Sequence, residues 1–302
     1  MIYFPMMQKL VRFDWAIKYL LRNKANFSIL EGFLSELLHT DVTIDAILES
    51  ESNKEQEKDK TIRVDLKAEL SGGEKVIIEV QCIRQWDFLS RMLFGVSKVV
   101  IEHLKQSEAY GTIPRVFSIN IVYFDLGHGK DYIYKGQTHF EGIHCHDQLE
   151  LGTEEKRMYP ETVQGVSDVY PQYYVLKVPQ FKSKVQDKLD EWMYFFKESA
   201  IKPEFQAKGL HEAAKTLDML RLDGNDRRSY DHYMENLSDE TSVFQTYFED
   251  GKYEGKTEGF KEGQSQVVRN MKKNGFAISE IVKITGLSEN KVSRLLNDTP
   301  SP

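Results

Sequence analysis

The segment Ile62-Arg-Val-Asp65-Leu-Lys-Ala-Glu-Leu70-Ser-Gly-Gly-Glu-Lys75-Val-Ile-Ile-Glu79-Val-Gln81 alternates apolar and polar residues on both sides of a glycine pair. Because side chains point to opposite faces at successive positions of a strand, this period of two predicts two β-strands. Each strand has an apolar face and a mainly polar face. The glycine pair lies where a short hairpin loop is expected. The segment therefore predicts a β-hairpin that carries acidic and amide side chains on its polar face.

The length of the hairpin loop decides which polar side chains face each other. A three-residue loop at 71–73 pairs Leu70 with Glu74 and places Asp65 opposite Glu79. A two-residue loop would shift the register by one and set polar residues against apolar ones. Two opposed carboxylates destabilise a hairpin unless a cation lies between them, and a divalent cation with oxygen ligands is the usual solution. The alternative is a solvent-facing hairpin whose charges bind nothing.

Composition restricts the class of protein. With 302 residues, the chain predicts either one large domain with an appendage or two domains. No stretch has the apolar length of a membrane span, and the first residues lack the pattern of a signal peptide, so we expect a cytoplasmic protein without membrane contact. Cys82 and Cys145 are far apart and form no Cys-x-x-Cys motif, which favours reduced thiols.

Up to residue 124, apolar periodicity predicts two helices, then three strands, a helix and a further strand, and beyond it further strands and helices. The predicted helices are 13–21, 29–38, 86–105, 185–197 and 210–222, and the predicted strands are 42–48, 62–70, 75–82, 115–124, 132–140 and 173–178. His139, His144, Cys145 and His146 form a polar cluster. The cluster lacks the spacing of a zinc site, so we favour a strand followed by a polar loop over a metal site.

The last fifty residues contain two further patterns. Lys252-Tyr-Glu-Gly255, Lys256-Thr-Glu-Gly259 and Phe260-Lys-Glu-Gly263 repeat with a period of four, which fits either a helix that makes close contacts or a flexible linker. Residues 264–297 hold six basic and two acidic residues and have the spacing of a helix-turn-helix. Three short helical patterns are predicted at 267–273, 279–284 and 288–296. The last helix would present Lys291 and Arg294 to DNA, or the three helices would serve for self-association.

These patterns together resemble the PD-(D/E)XK nuclease family transposases, also called the Rpn family of recombination-promoting nucleases. The resemblance extends over nearly the whole chain. It is carried by Asp65, by Ile78-Glu-Val-Gln81 and by the segments Phe13-Asp14-Trp-Ala-Ile-Lys18-Tyr-Leu, 26–38, Phe88-Leu-Ser-Arg91, Tyr174-Val-Leu-Lys-Val-Pro-Gln-Phe181 and the Glu-Gly repeat. It implies an α/β fold with a restriction-endonuclease-like core, in which helices flank a mixed central sheet, followed by a helical C-terminal region.

The resemblance also implies a function. The implied activity is that of a DNA endonuclease associated with recombination or transposon-like elements. Such an enzyme hydrolyses phosphodiester bonds with a water that is activated by Mg²⁺, for which Mn²⁺ could substitute. Asp65 and Glu79 would hold the metal, and Gln81 stands where many relatives carry lysine. Asp14, Lys67 and Arg91 are accessory candidates. Asp14 could instead cap the first helix or face solvent. Arg91 could bind either a phosphate or a carboxylate of the fold.

The resemblance and the sequence patterns together give the expected organisation. We expect a nuclease-like domain at 1–200, a helical extension at 201–250, the repeat at 251–263 and the helix-turn-helix-like tail at 264–302. The expected partners are DNA and a second copy of the chain, joined through the C-terminal helices. The alternative function is a catalytically degenerate protein that binds DNA or oligomerises through its tail.

Overall fold

The computed structural model describes residues 10–20, 26–48, 66–106, 110–219 and 221–297. The strands are β1 (Ile44–Ile47), β2 (Leu66–Leu70), β3 (Lys75–Gln81), β4 (Val116–Val122), β5 (Ile133–Gly136) and β6 (Gln172–Lys177). The helices are α1 (Phe13–Leu20), α2 (Phe27–Leu38), α3 (Phe88–Gln106), α4 (Thr153–Lys156), α5 (Val166–Val169), α6 (Lys188–Glu198), α7 (Leu210–Thr216), α8 (Gly224–Lys273), α9 (Ile278–Thr285) and α10 (Glu289–Asn297).

The predicted hairpin is present, and its register is the predicted one. Leu66 pairs with Ile78 across the two antiparallel strands. The amide of Leu70 donates to the carbonyl of Glu74 at 2.9 Å, which closes the three-residue loop. Gly73 has a φ of 82°, in the left-handed region that glycine occupies without a steric penalty. The register of β2 and β3 is thus confirmed as far as the described residues extend.

The six strands form one mixed sheet in the order β1-β2-β3-β4-β6-β5. Strands β3, β4 and β6 run parallel to one another, and the outer pairs are antiparallel. Every residue of β4 is buried, as expected for a central strand covered on both faces. Helices flank this sheet, so the predicted α/β class with a mixed central sheet is confirmed.

The core around the sheet includes an aliphatic cluster and an aromatic cluster. On one face of the sheet, α3 packs against β3 and β4 through Ile77, Val96, Val99 and Val116. An aromatic cluster joins α1, α2 and α6, and its ring centroids lie 4.4 to 6.4 Å apart. The hydroxyl of Tyr123 donates to the carbonyl of Phe196 at 2.8 Å, which ties the end of β4 to α6.

The chain divides into two compact units, Met1–Tyr233 and Met234–Pro302. The division falls within α8, a helix of 50 residues that includes the Glu-Gly repeat. A Cβ added at Gly251, Gly255, Gly259 or Gly263 would meet no atom within 4 Å. No described helix is long and apolar enough to cross a membrane.

The second unit ends in the three predicted helical segments. Val268, Ile281 and Val292 form its buried core, to which α8, α9 and α10 each contribute one residue. Gly286 ends α9 with a φ of 68°, so the chain reverses in a tight turn before α10. The order of a helix, a glycine-containing turn and a second helix is that of a helix-turn-helix.

Candidate active site around Glu79

Glu79 lies near the carboxyl end of β3, where the parallel strands of the sheet end together. Its side chain is on the same face as Ile77, which packs on α3. The residue is only 6% exposed. A buried carboxylate needs a charged or hydrogen-bonding partner, because transfer of a charge out of water is costly.

Arg91 on α3 supplies that partner. Its Nε lies 2.7 Å from Oε1 of Glu79, and the Arg91 side chain retains 28% exposure. Its Nη1 also donates to Oε1 of Gln85 at 3.2 Å. Of the two partners expected for Arg91, a phosphate or a carboxylate, the structure shows the carboxylate. The guanidinium therefore places a positive charge directly at the candidate metal ligand.

The other predicted residues of the hairpin have separate partners. Gln81 is half-buried, and its Nε2 donates to the carbonyl of Ile83 at 3.1 Å. Because an amide carries no charge, Gln81 can orient a water or phosphate but cannot act as a base. Lys67 is paired with Glu102 of α3. Its charge is thus engaged by a carboxylate other than Glu79.

Asp65 immediately precedes Leu66 in the sequence and lies outside the described residues. In the part of the chain that the structure describes, no three His, Cys, Asp or Glu side chains come together as a metal site. The donor chemistry of Glu79 nevertheless suits a divalent cation. Carboxylate oxygens are the ligands that Mg²⁺ prefers, but the charge of Arg91 at Oε1 opposes a second cation at that oxygen.

Asp14 belongs to a different cluster, at the start of α1. Its Oδ2 lies 2.7 Å from Nη2 of Arg12 and accepts a hydrogen bond from the thiol of Cys82 at 2.8 Å. Burial opposes the charge of Arg12, but the hydrogen bond and charge of Asp14 outweigh it, so the pKa of Arg12 is raised. Burial and then the charge of Asp14 raise the pKa of Cys82 to about 12. Cys82 is thus a protonated thiol rather than a nucleophile.

Sequence reasoning missed Gln85 and Arg12 as partners of the candidate site residues. Arg12 precedes Asp14 by two residues. Its Nε and Nη2 both donate to Oδ2 of Asp14 at the start of α1. Gln85 follows β3 in a segment without regular structure. Periodicity carries no signal for such contacts, because they depend on how the segment turns back toward α3.

The candidate residues of the tail lie on one helix. Lys291 and Arg294 are both exposed on α10, and Val292 between them is buried. The spacing of three residues puts the two cations on the same face of the helix.

The polar cluster near residue 140 contains a contact between Nδ1 of His146 and Oε1 of Glu141 at 2.6 Å.

Comparison with known protein families gives a match. Residues 11–150 match the sequence model of the PD-(D/E)XK nuclease family transposases. This range contains α1, the hairpin and α3, and with them Asp14, Glu79 and Arg91. No curated protein and no solved structure matches the chain. The family indicates a function of the nuclease or transposase type.

Proposed function

We propose that the protein is a metal-dependent DNA endonuclease, because residues 11–150 match the sequence model of the PD-(D/E)XK nuclease family transposases. The observation that supports this most directly is the buried carboxylate of Glu79, which faces Arg91 at the end of a parallel strand. Nuclease cores need a fixed carboxylate that can hold a cation beside the scissile phosphate. A fold alone does not imply an activity, so the proposal depends on this site.

Asp65 and Glu79 would hold the divalent cation, which is Mg²⁺ or Mn²⁺ in this proposal. When bound, such a cation polarises the phosphate and lowers the pKa of a water that attacks it. Asp65 precedes a strand whose confirmed register pairs Leu66 with Ile78. We propose that this register continues by one residue, which would set Asp65 against Glu79.

The remaining side chains of the site have roles that follow from their contacts. Arg91 fixes the carboxylate of Glu79 through one oxygen, and its guanidinium can also bind a phosphate oxygen. Gln81 orients its amide against the carbonyl of Ile83, so its own carbonyl oxygen can accept a hydrogen bond from the attacking water. Gln81 holds no proton for transfer. Proton acceptance therefore falls to the carboxylates or to solvent.

A plasmid-cleavage assay tests the proposal. The purified full-length protein is incubated with supercoiled plasmid in Mg²⁺, in Mn²⁺ or in EDTA. We expect nicking only with a divalent cation, and we expect Asp65→Ala and Glu79→Ala to abolish it. Asp45→Ala is the matched control, because Asp45 is an exposed carboxylate on β1 of the same sheet. Equal nicking by the wild type and both site variants would refute the catalytic assignment.

The tail supports a second function, binding of DNA. The specific observation is the helix-turn-helix geometry of α9 and α10, with Lys291 and Arg294 exposed on the second helix. We propose that these residues contact DNA phosphates. In EDTA, Lys291→Ala combined with Arg294→Ala should reduce the salt dependence of DNA affinity by about two counterions. An unchanged dependence of DNA affinity on salt concentration would favour a tail that serves for self-association. An oligomer formed through the C-terminal helices stays a prediction.

A further inference from the structure

Trp86 is the exposed tryptophan of the molecule. It is 82% exposed, whereas Trp15 and Trp192 are 6% and 0% exposed. The guanidinium carbon of Arg84 lies 4.1 Å from the centroid of the Trp86 ring. Because the ring is covered by a guanidinium on one side and still largely exposed, its other side faces solvent. An exposed indole ring offers a large apolar surface that a ligand can cover.

The Arg84–Trp86 pair lies beside the candidate active site. Both residues belong to the segment that leads from the end of β3 to the start of α3. Gln85, which stands between them, accepts a hydrogen bond from Arg91, and Arg91 in turn pairs with Glu79. The contacts of Arg91 with Glu79 and with Gln85 therefore connect the carboxylate of the site to the segment that carries Trp86.

The chemistry of the pair matches a nucleotide. An indole ring offers a flat surface on which a nucleobase can stack, and a guanidinium can bind phosphate through two hydrogen bonds. In a duplex the bases are stacked on each other, so only an unpaired or extruded base presents its face to a side chain.

We propose that Trp86 and Arg84 bind an unpaired nucleotide beside the scissile phosphate, so that the substrate class is DNA with single-stranded segments. The inference rests on the proposed nuclease function and names the substrate form of that same site. Trp86 stacks on the base, and Arg84 contacts its phosphate. Leu89 and Leu93 on α3 are also exposed, at 61% and 60%. A second copy of the chain on this surface is the competing occupant.

Intrinsic fluorescence tests the inference without any cleavage. The full-length protein in EDTA is titrated with a 12-nucleotide oligothymidylate and, separately, with a duplex of the same length. Stacking should quench the emission of Trp86 with the single strand and much less with the duplex. In Trp86→Phe the emission comes from buried Trp15 and Trp192, so the quenching should disappear while most of the affinity stays.

Affinity is measured in parallel by anisotropy of a labelled oligonucleotide. Trp86→Ala should weaken binding of the single strand about 10-fold, since loss of one stacked base changes affinity by a factor between about 5 and 150. Arg84→Ala should weaken it and lower its salt dependence. Ile143→Ala is the control, because Ile143 is a similarly exposed apolar residue at 86%. Circular dichroism checks that each variant is folded.

The outcomes separate this inference from the proposed nuclease. If Trp86→Ala binds the single strand as tightly as the wild type, or the duplex quenches equally, the inference is wrong even where metal-dependent nicking occurs. If emission of Trp86 changes with protein concentration in the absence of DNA, a second copy covers the site and the inference is wrong. If the single strand is bound through Trp86 but no divalent cation supports cleavage, the nucleotide site stands and the nuclease proposal fails.

Discussion

The ion pair between Glu79 and Arg91 gives the most quantitative prediction for the site. Arg91→Ala leaves the carboxylate of Glu79, at 6% exposure, without the cation that faces it. Removal of one partner of a fully buried pair costs about 3–5 kcal/mol. Because the Arg91 side chain is 28% exposed, water can partly replace it, and we expect a loss of about 2–3 kcal/mol in the free energy of unfolding.

A double-mutant cycle of Glu79→Gln and Arg91→Ala separates the interaction energy of the two charges from the loss of packing. Glu79→Gln keeps a hydrogen-bond acceptor for Arg91 and removes the charge, so it should cost about 0.5–1.5 kcal/mol. The double variant with Arg91→Ala removes both charges of the pair. It should therefore be more stable than the sum of the single losses predicts, by about 1–2 kcal/mol.

Urea unfolding followed by tryptophan fluorescence measures these free energies. All three tryptophans lie within Met1–Tyr233, so the signal reports on the unit that contains the site. Lys98→Ala is the matched control, because Lys98 is a cation of the same helix in an i,i+4 pair with Glu102 at 3.9 Å and should cost less than about 0.5 kcal/mol. A coupling energy below about 0.5 kcal/mol would refute the reasoning, because Arg91 would then not neutralise Glu79.

Two further predictions concern stability. Burial and Asp14 raise the pKa of Cys82 to about 12, so between pH 9 and pH 10 the unfolded thiol ionises while the native one keeps its proton. The contribution of Cys82 to native stability should therefore fall by about 1 kcal/mol over this interval. Tyrosines whose pKa is raised by burial, such as Tyr132 and Tyr233, add a loss of their own in every variant; urea unfolding at both pH values should therefore show a loss that is smaller by about 1 kcal/mol in Cys82→Ser than in the wild type and in Cys145→Ser, and a loss of equal size in Cys82→Ser would contradict it. A Cβ at Gly32 would lie 2.2 Å from the carbonyl oxygen of Lys208, whereas one at Gly255 meets open space. Thermal unfolding should show that Gly32→Ala destabilises the first unit by more than about 1 kcal/mol, while Gly255→Ala stabilises α8 by up to about 1 kcal/mol; equal effects would contradict the close contact at Gly32.

The hairpin register could be predicted because a period of two in both strands favours a three-residue loop over a two-residue loop, which would set polar residues against apolar ones. A shift of one residue would have turned Val76 and Ile78, both fully buried, toward the polar face. The tail was predictable for a similar reason, since Ile281 and Val292 recur at helical spacing around one glycine turn. In both cases a local pattern specifies the local structure.

The full extent of α8 did not follow from local pattern. The repeat at 251–263 contains a glycine in every fourth position, and each glycine weakens a helix by about 1 kcal/mol. Helix propensity alone therefore did not decide between a helix and a flexible linker for this stretch. The structure shows one helix from Gly224 to Lys273, and nearly all of its residues between 238 and 263 are exposed.

The contacts of the candidate site were the least predictable part, because they depend on how α3 packs against β3 and not on a local pattern. Arg91 reaches Glu79 only because α3 folds back over the face of β3 that carries both Ile77 and Glu79. This contact bears on Gln81, which lacks the positive charge of a lysine. Arg91 brings a permanent cation to the same strand face from a neighbouring helix. The site can therefore hold a positive charge beside its carboxylate even though β3 itself supplies none at position 81.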